Sequence, residues 1–162
     1  MTVDVTECLK NPGETFLLEV EFPLPDISYN GCSYQVVDLV SIVGKYVYLD
    51  ERITLDARLK AKVKSECVKC LEDAFYDIDA EFKERISKTN PDDFKIVNNN
   101  VDLSEIAEEN IIFNLPERML CKEDCKGICP KCGANLNKKT CDCNKEGKTQ
   151  ENAFGALKDL FS

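Results

Sequence analysis

The sequence predicts an α+β protein in which an antiparallel β-rich core, either a meander or a small barrel, carries a capped helix and a C-terminal cysteine-rich ribbon. Apolar and polar residues alternate through much of the first half of the chain, which is typical of half-buried strands. One segment after residue 101 has helical periodicity, and eight of the ten cysteines fall in close pairs. With 162 residues, 43% of them hydrophobic, the chain can bury one sizeable core and a small appended module.

These patterns divide the chain into three predicted parts. Residues 1–116 form the β-rich core with a helix over 102–115, residues 117–148 form the ribbon, and residues 149–162 form a C-terminal helix that packs back on the core. No segment approaches the roughly 20 apolar residues that a membrane span needs, and the N-terminus lacks the basic start and apolar stretch of a signal peptide. We therefore expect a cytoplasmic protein that does not contact membranes.

Three strands are predicted before residue 50. Alternating apolar residues predict the first over Thr15–Phe22, and a proline follows it directly. The second is predicted over Tyr34–Val43, where a turn at Gly44-Lys45 closes it. The third is predicted over Tyr46–Leu49.

Residues 53–86 predict a β-hairpin whose turn contains Cys67-Val68-Lys69-Cys70. Basic residues alternate with apolar ones before the turn, and mainly acidic residues alternate with apolar ones after it. A register in which paired residue numbers sum to 141 matches apolar residues on one face and opposite charges on the other, at about 0.2–1 kcal/mol per pair. The cross-strand charge pairs in this register are Lys64 with Asp77, Lys62 with Asp79, and Lys60 with Glu81.

A helix is predicted after a polar connection over residues 87–101. Asp102 or Ser104 is expected to cap it, and Glu105, three residues after Asp102, completes a capping box. Pro116 ends the helical pattern. The residues that share its apolar face are Leu103, Ile106, Ala107 and Ile111.

The ribbon contains the most specific motif in the sequence. Cys129-Pro130-Lys131-Cys132-Gly133 predicts a tight turn that directs two sulfurs at one metal ion, and Cys141-Asp142-Cys143 supplies two more from a second loop. Four thiolates around zinc form a closed tetrahedron with no position for water, which is typical of a structural site. We therefore predict a zinc ribbon whose ligands are Cys129, Cys132, Cys141 and Cys143.

Two further pairs, Cys67/Cys70 in the hairpin turn and Cys121/Cys125 after the helix, allow several interpretations. Together they would form a second zinc site that joins the core to the ribbon, for a total of two zinc ions. Alternatively, Cys121 or Cys125 replaces one of the ribbon's own thiols at a single site. Either pair could also be a redox couple, although a redox CxxC normally begins a helix and Cys67 ends a strand.

The two remaining cysteines, Cys8 and Cys32, have no partner at useful spacing. Unpaired cysteines in proteins are commonly small buried hydrophobic residues. We expect that role for both.

The charge distribution favours the ribbon as a surface for nucleic acid. The formal net charge of the chain is −9, and acidic residues neutralise most of the hairpin's basic face. Residues 121–148, in contrast, contain seven lysines against four acids. If the protein binds RNA, the candidate contacts are Lys126, Lys131, Lys138 and Lys139.

The absence of histidine limits the chemistry that is possible. It excludes His-dependent triads and HExxH zinc hydrolases, and it removes the usual general base. The sequence offers no catalytic residues of its own, so we expect a non-enzymatic protein without a small-molecule substrate. A different class stays open, namely a thiol-based redox or zinc-responsive regulator in which Cys67/Cys70 or Cys121/Cys125 oxidise and release metal.

Four segments of the chain together carry a family resemblance: the run Cys67–Glu72, the helix start Asp102–Ile106, the run Leu115–Asn137, and the closing segment Asn152–Leu160. In order and spacing they resemble the YceD family of large-subunit ribosomal RNA accumulation proteins, although the family often has Pro in place of Ala153. The resemblance implies a cytoplasmic factor that large-subunit ribosomal RNA needs in order to accumulate, acting on the RNA or on a pre-ribosomal particle. It implies no catalytic residues, and a protein partner in assembly is compatible with it.

Overall fold

The computed structural model describes residues 1–143, which consist mostly of β-sheet with two helices. The predicted helix over 149–162 and the end of the predicted ribbon lie outside the described residues, and the division into three domains stays a prediction. The strands are β1 (Thr2–Asp4), β2 (Thr15–Phe22), β3 (Ile27–Tyr29), β4 (Cys32–Val36), β5 (Val40–Leu49), β6 (Arg52–Glu66), β7 (Asp73–Ser87), β8 (Phe94–Val97) and β9 (Asn100–Asp102), and the helices are α1 (Thr6–Lys10) and α2 (Leu103–Phe113).

The long strand β6 organises the sheet. It pairs antiparallel with β7 along its whole length, with β5 along its first part and with β4 near its end. β2 pairs with β5, and β3 pairs with β4. On the other side of β7 follow β8, β9 and β1. The β-rich class is confirmed, but one pairing departs from the antiparallel prediction, because residues 88–93 turn back and place β8 parallel to the end of β7.

The segment predicted as a polar connection over 87–101 contains two of these strands. β8 and the start of β9 form a small hairpin, in which Ile96 lies opposite Val101. Asn98 and Asn99 make its turn with φ values of 51° and 59°. Asparagine tolerates this left-handed backbone well, so the polar run that indicated a loop is a hairpin turn.

The sheet curls around one hydrophobic core, and α2 packs against it. Residues of β6 alternate between the core and the surface, and Ile53, Leu59 and Val63 are almost fully buried. α2 begins at the predicted cap, where the Ser104 N–H donates to Asp102 Oδ1 over 2.9 Å. Within the described residues, neither helix has the length and apolar character that a membrane span requires. The predicted face of α2 is buried in the core through Leu103, Ile106, Ala107 and Ile111.

The predicted hairpin is present as β6 and β7, but its predicted register is wrong by two residues. Paired residue numbers sum to 139, so Lys62 lies opposite Asp77 and Lys60 lies opposite Asp79. A two-residue shift keeps every side chain on its predicted face, so the alternating pattern could not distinguish the two registers. The turn decides between them, because the Cys67 N–H donates to the Glu72 carbonyl oxygen over 2.8 Å.

Gly44 does not end a strand, contrary to the prediction. It lies inside β5, directly opposite Ala57 of β6, and β5 continues to Leu49. A Cβ at position 44 would lie 2.4 Å from both the Ala57 Cβ and the Asp56 carbonyl oxygen. Glycine is therefore required here because the two strands approach closely, and not because the chain turns.

Gly44→Ala is expected to destabilise the protein by more than about 3 kcal/mol, at or beyond the upper end of ordinary overpacking. The added methyl group meets backbone atoms of β6, which cannot move without weakening the central strand pairing. Gly13→Ala is the control, since an added Cβ there meets nothing within 4 Å and only its φ of 83° is unfavourable. Urea unfolding of both variants measures the difference, and equal losses would contradict the steric explanation.

Candidate metal centre

Four cysteines from two distant parts of the chain meet at the turn of the β6–β7 hairpin. The Cys67 and Cys125 sulfurs lie 3.7 Å apart, and the Cys70 and Cys121 sulfurs lie 3.5 Å apart. All four sulfurs lie within 4.8 Å of one another. Cys121 is half-buried and the other three are buried in the main core. We call Cys67, Cys70, Cys121 and Cys125 the inner cluster.

The other four paired cysteines meet within the ribbon. Their sulfurs also lie within 4.8 Å of one another. Cys129 is buried, Cys132 is exposed and the remaining two are half-buried, so this group lies nearer the surface. We call Cys129, Cys132, Cys141 and Cys143 the outer cluster. The structure thus brings together the two predicted ligand sets, and neither Cys121 nor Cys125 joins the outer cluster.

Both clusters use the same backbone turn to present a cysteine pair. The Leu71 N–H donates to the Cys67 carbonyl oxygen over 2.9 Å, and the Gly133 N–H donates to the Cys129 carbonyl oxygen over 2.8 Å. The residue after the second cysteine has a positive φ in each turn, 62° at Leu71 and 69° at Gly133. Glycine adopts this conformation without cost, whereas leucine rarely does. The hairpin turn therefore contains backbone strain that the surrounding contacts must offset.

Backbone hydrogen bonds attach the ribbon to the hairpin turn. The Val68 N–H donates to the Met119 carbonyl oxygen over 2.9 Å, and the Ile128 N–H donates to the Lys69 carbonyl oxygen over 3.1 Å. Gly127, with a φ of 73°, allows the two segments to approach, since an added Cβ would lie 3.0 Å from the Lys69 oxygen. The hairpin turn and the start of the ribbon are consequently packed together around the inner cluster.

Asn137 also belongs to the surroundings of the inner cluster, and sequence reasoning missed it. Its side-chain nitrogen donates to the Cys125 sulfur over 3.3 Å, and its side-chain oxygen accepts from the Lys126 N–H over 2.9 Å. The next residue, Lys138, forms an ion pair with Glu72 in the hairpin turn. In the sequence, Asn137 lies midway between the two cysteine pairs of the outer cluster. This position does not indicate a contact with the inner cluster.

The pKa values of the inner-cluster thiols are shifted in opposite directions. Burial raises the pKa of Cys67, but hydrogen bonds from the backbone of Cys121 and of neighbouring residues outweigh it and lower the pKa to about 6. Hydrogen bonding with the Cys70 thiol, together with burial, raises the pKa of Cys121 to about 12. The first thiol of the cluster therefore loses its proton easily, and the last thiol loses its proton only with difficulty.

The outer cluster shows the same division. Backbone hydrogen bonds from Cys132 and Lys131 lower the pKa of Cys129 to about 6. Hydrogen bonding with Cys132, and then burial, raise the pKa of Cys143 to about 12. Four thiolates at these distances repel one another, and a bound divalent cation would offset that repulsion. Each cluster could therefore hold a metal ion.

The two cysteines outside the clusters differ from each other. Cys8 is buried under the sheet, as predicted. Cys32 is exposed, so the prediction that it is buried is wrong. It begins β4 directly after the Asn30-Gly31 turn, where the hairpin of β3 and β4 extends towards solvent. A residue at the tip of a short hairpin has too few neighbours to be covered.

The structure separates the four candidate lysines into two groups. Lys138 is paired with Glu72, and the Lys131 ammonium group donates to the Cys143 carbonyl oxygen over 3.0 Å. Lys126 and Lys139 form no ion pair with any residue among positions 1–143. The basic face of the hairpin is compensated, since Lys64 pairs with Asp73 at 2.9 Å, Lys62 with Asp77 at 3.8 Å, and Arg58 with Asp79.

Comparison with known proteins finds two informative relatives by sequence. Over 60 residues the chain is 38% identical to the large ribosomal RNA subunit accumulation protein YCED homolog 1, chloroplastic, of Arabidopsis thaliana. That alignment covers 37% of this chain and 18% of the length of the Arabidopsis protein. An uncharacterized protein of Mycobacterium tuberculosis is 24% identical over 148 residues, which cover 84% of this chain and 70% of the relative. No solved structure matches the chain.

The curled sheet and the two four-cysteine clusters define a β-rich protein with two candidate metal sites. Residues 55–161 match the family described as large ribosomal RNA subunit accumulation protein YceD. The chain belongs to this family, as its motifs predicted. The matched region begins in β6 and includes all eight clustered cysteines.

Proposed function

We propose that this protein is a zinc-binding, non-enzymatic factor of the cytoplasm that supports the accumulation of large-subunit ribosomal RNA by binding the RNA or a pre-ribosomal particle. The family match over residues 55–161 supports the role in ribosomal RNA accumulation. The two clusters and the lysines around them support the binding part. A protein partner in assembly is compatible with the same role.

The sulfur geometry supports zinc as the metal. Zinc–sulfur bonds of about 2.3 Å in a tetrahedron correspond to sulfur–sulfur distances of about 3.8 Å. In the inner cluster, the Cys67–Cys125 and Cys70–Cys121 sulfurs are 3.7 Å and 3.5 Å apart, close to that value. Zinc held by the four inner cysteines would join the ribbon to the hairpin turn, and zinc held by the four outer cysteines would join the two loops of the ribbon. With four thiolates around each ion, there is no open position at which a substrate or water could react.

The surface assigned to RNA is formed by the ribbon lysines that have no ion pair within the described residues 1–143. Lys138 and Lys131 already have partners within the protein, so we assign the phosphate contacts to Lys126 and Lys139. The chain as a whole is acidic, with a formal net charge of −9, and zinc-filled four-thiolate sites add further negative charge. RNA binding would therefore depend on a local basic surface, because the net charge of the whole protein repels RNA.

The double variant Lys126→Gln, Lys139→Gln is expected to weaken binding to large-subunit ribosomal RNA or precursor particles across many sequences. Each lost phosphate contact should also reduce the slope of log affinity against log salt by about 0.7–0.9. Lys62→Gln, Lys64→Gln is the matched control, because it removes the same charge from lysines that acids already neutralise. Filter binding at several salt concentrations measures both variants.

The outcomes of this experiment separate the alternatives. If the hairpin control loses RNA while the ribbon variant binds normally, the assigned surface is wrong. If the unmodified protein binds neither RNA nor particles at low salt, direct binding is wrong and a protein-mediated role follows. A thiol-based regulator remains the alternative function class, and rapid reaction of clustered cysteines with a thiol reagent in the zinc-loaded protein would favour it.

A further inference from the structure

The segment between residues 133 and 140 connects the two cysteine pairs of the outer cluster, yet two of its side chains contact the inner cluster or the hairpin turn beside it. Asn137 donates to the Cys125 sulfur, and Lys138 pairs with Glu72 in the hairpin turn. The Leu136 N–H donates to the Gly127 carbonyl oxygen over 2.9 Å. The loop of residues 133–140 is therefore flanked by two outer-cluster ligands, Cys132 and Cys141, and packs beside the inner cluster.

The hydrogen bonds of Asn137 fix the orientation of its side-chain amide. The side-chain oxygen accepts from the Lys126 N–H over 2.9 Å, so the side-chain nitrogen is the atom that faces Cys125. The backbone N–H of Asn137 donates to Asn135 Oδ1 over 2.9 Å, which holds the residue from the other side. An N–H that points at a sulfur stabilises a thiolate more than a thiol, because the thiolate is the stronger acceptor.

We propose that Asn137 is a positioning residue for the metal ion of the inner cluster, and that metal binding at the outer cluster strengthens metal binding at the inner cluster by ordering the loop that carries it. This inference rests on the proposed zinc sites. A metal ion in the outer cluster fixes Cys132 and Cys141 at the two ends of the loop, so Asn137 is held in place before the inner metal binds. Without the outer metal, the inner site must order the loop itself.

The coupling is reciprocal by thermodynamic necessity, so the inner metal also raises the affinity of the outer cluster. The contacts between the segments make this coupling local. Residues Ile128 and Asn135 form a short antiparallel bridge, and the Cys129 N–H, at the first ligand of the outer cluster, donates to the Ala134 carbonyl oxygen over 2.8 Å. The backbone around the outer cluster is therefore hydrogen-bonded directly to the loop that contacts the inner cluster.

The test uses the full chain, freed of metal and then titrated with zinc against a competing chelator, with native mass spectrometry to count bound ions. Asn137→Leu removes the donor at similar size, and Asn137→Asp places a carboxylate against the thiolate. Both should lower zinc affinity at the inner cluster by 10- to 100-fold, the range typical of lost hydrogen bonds to metal ligands. Thr140→Val is the control. It lies in the same loop, is exposed, changes no charge, and removes a hydroxyl group that makes no hydrogen bond within residues 1–143, so it should change neither site.

A spectroscopic readout distinguishes positioning from general destabilisation. With ¹¹³Cd in place of zinc, each cluster gives its own resonance, and Asn137→Leu should shift the inner resonance while leaving the outer one in place. Removing the outer site by Cys132→Ser and Cys141→Ser should lower inner-site affinity at least tenfold, and Asn137→Leu should have little further effect in that background.

Three results of these experiments would each contradict a different part of the proposal. If the unmodified protein binds no zinc or cadmium, the proposed metal function itself is wrong. If two ions bind but the inner affinity and resonance are unchanged in Asn137→Leu, the positioning role is wrong. If the inner affinity is the same with and without the outer site, the coupling is wrong.

Discussion

Removing metal from both clusters is expected to unfold the ribbon while the sheet stays folded. Within residues 117–143 the buried side chains are those of Met119, Cys125 and Cys129, so the segment has almost no core of its own. Binding of a structural zinc ion supplies roughly 10–16 kcal/mol in zinc-finger peptides, which is far more than the few backbone hydrogen bonds of this segment provide. The β6–β7 hairpin, in contrast, is held by a core that does not depend on the outer cluster.

Amide hydrogen exchange measures this effect segment by segment. After chelation, the protected N–H groups of Cys129, Gly133 and Leu136 should exchange at the rate of an unfolded chain. Amides in the middle of β6 should stay protected, and those of Val68 and Cys67 at the hairpin turn should exchange faster than before. The same chelator saturated with zinc beforehand is the control. Unchanged exchange across residues 125–143 in the metal-free protein would contradict a metal-dependent ribbon.

The cysteine pairs can be predicted because their spacing in the sequence is local. The way in which the pairs assemble, and the other contacts of the site, are harder to predict because they depend on packing between distant segments. Two cysteines separated by one to three residues can direct their sulfurs at a common point through local backbone geometry, so ligand pairs can be found in the sequence. That the pair at Cys67 and Cys70 meets the pair at Cys121 and Cys125 depends on how the ribbon packs on the hairpin. The sequence suggested that pairing, and the structure brings the four sulfurs together.

The errors have the same physical origin. Charge and apolar alternation predict the faces of the hairpin but are unchanged by a two-residue shift. The six-residue turn from Cys67 to Glu72 sets the actual register. Gly44 indicated a turn, but its role is set by the distance to Ala57 on another strand. Asn137 has no periodicity or motif that connects it to Cys125, because that contact exists only in the folded ribbon.

Cys67→Ser is expected to reduce the zinc content from two ions per chain to one and to detach the ribbon from the hairpin turn. Cys67 is fully buried, so a serine there loses a zinc ligand and leaves a hydroxyl group in the core. Three thiols remain, but a neutral hydroxyl is a poor replacement for a thiolate in a closed zinc site. Native mass spectrometry counts the ions, and amide exchange at Val68 and Ile128 reports whether the segments separate.

Cys8→Ser is the matched control for Cys67→Ser, because Cys8 is also buried and belongs to neither cluster. Its loss of stability should be limited to about 1–3 kcal/mol, the cost of placing a hydroxyl group in an apolar environment, and its zinc count should stay at two. Cys67→Ser should lower the melting temperature much further, because it removes the metal that joins two segments of the fold. If the Cys67 variant retains two zinc ions, the inner cluster is not a metal site. If the unmodified protein holds a single ion that Cys67→Ser leaves in place, only the outer cluster binds metal, and the inner cysteines stabilise the protein through their burial alone.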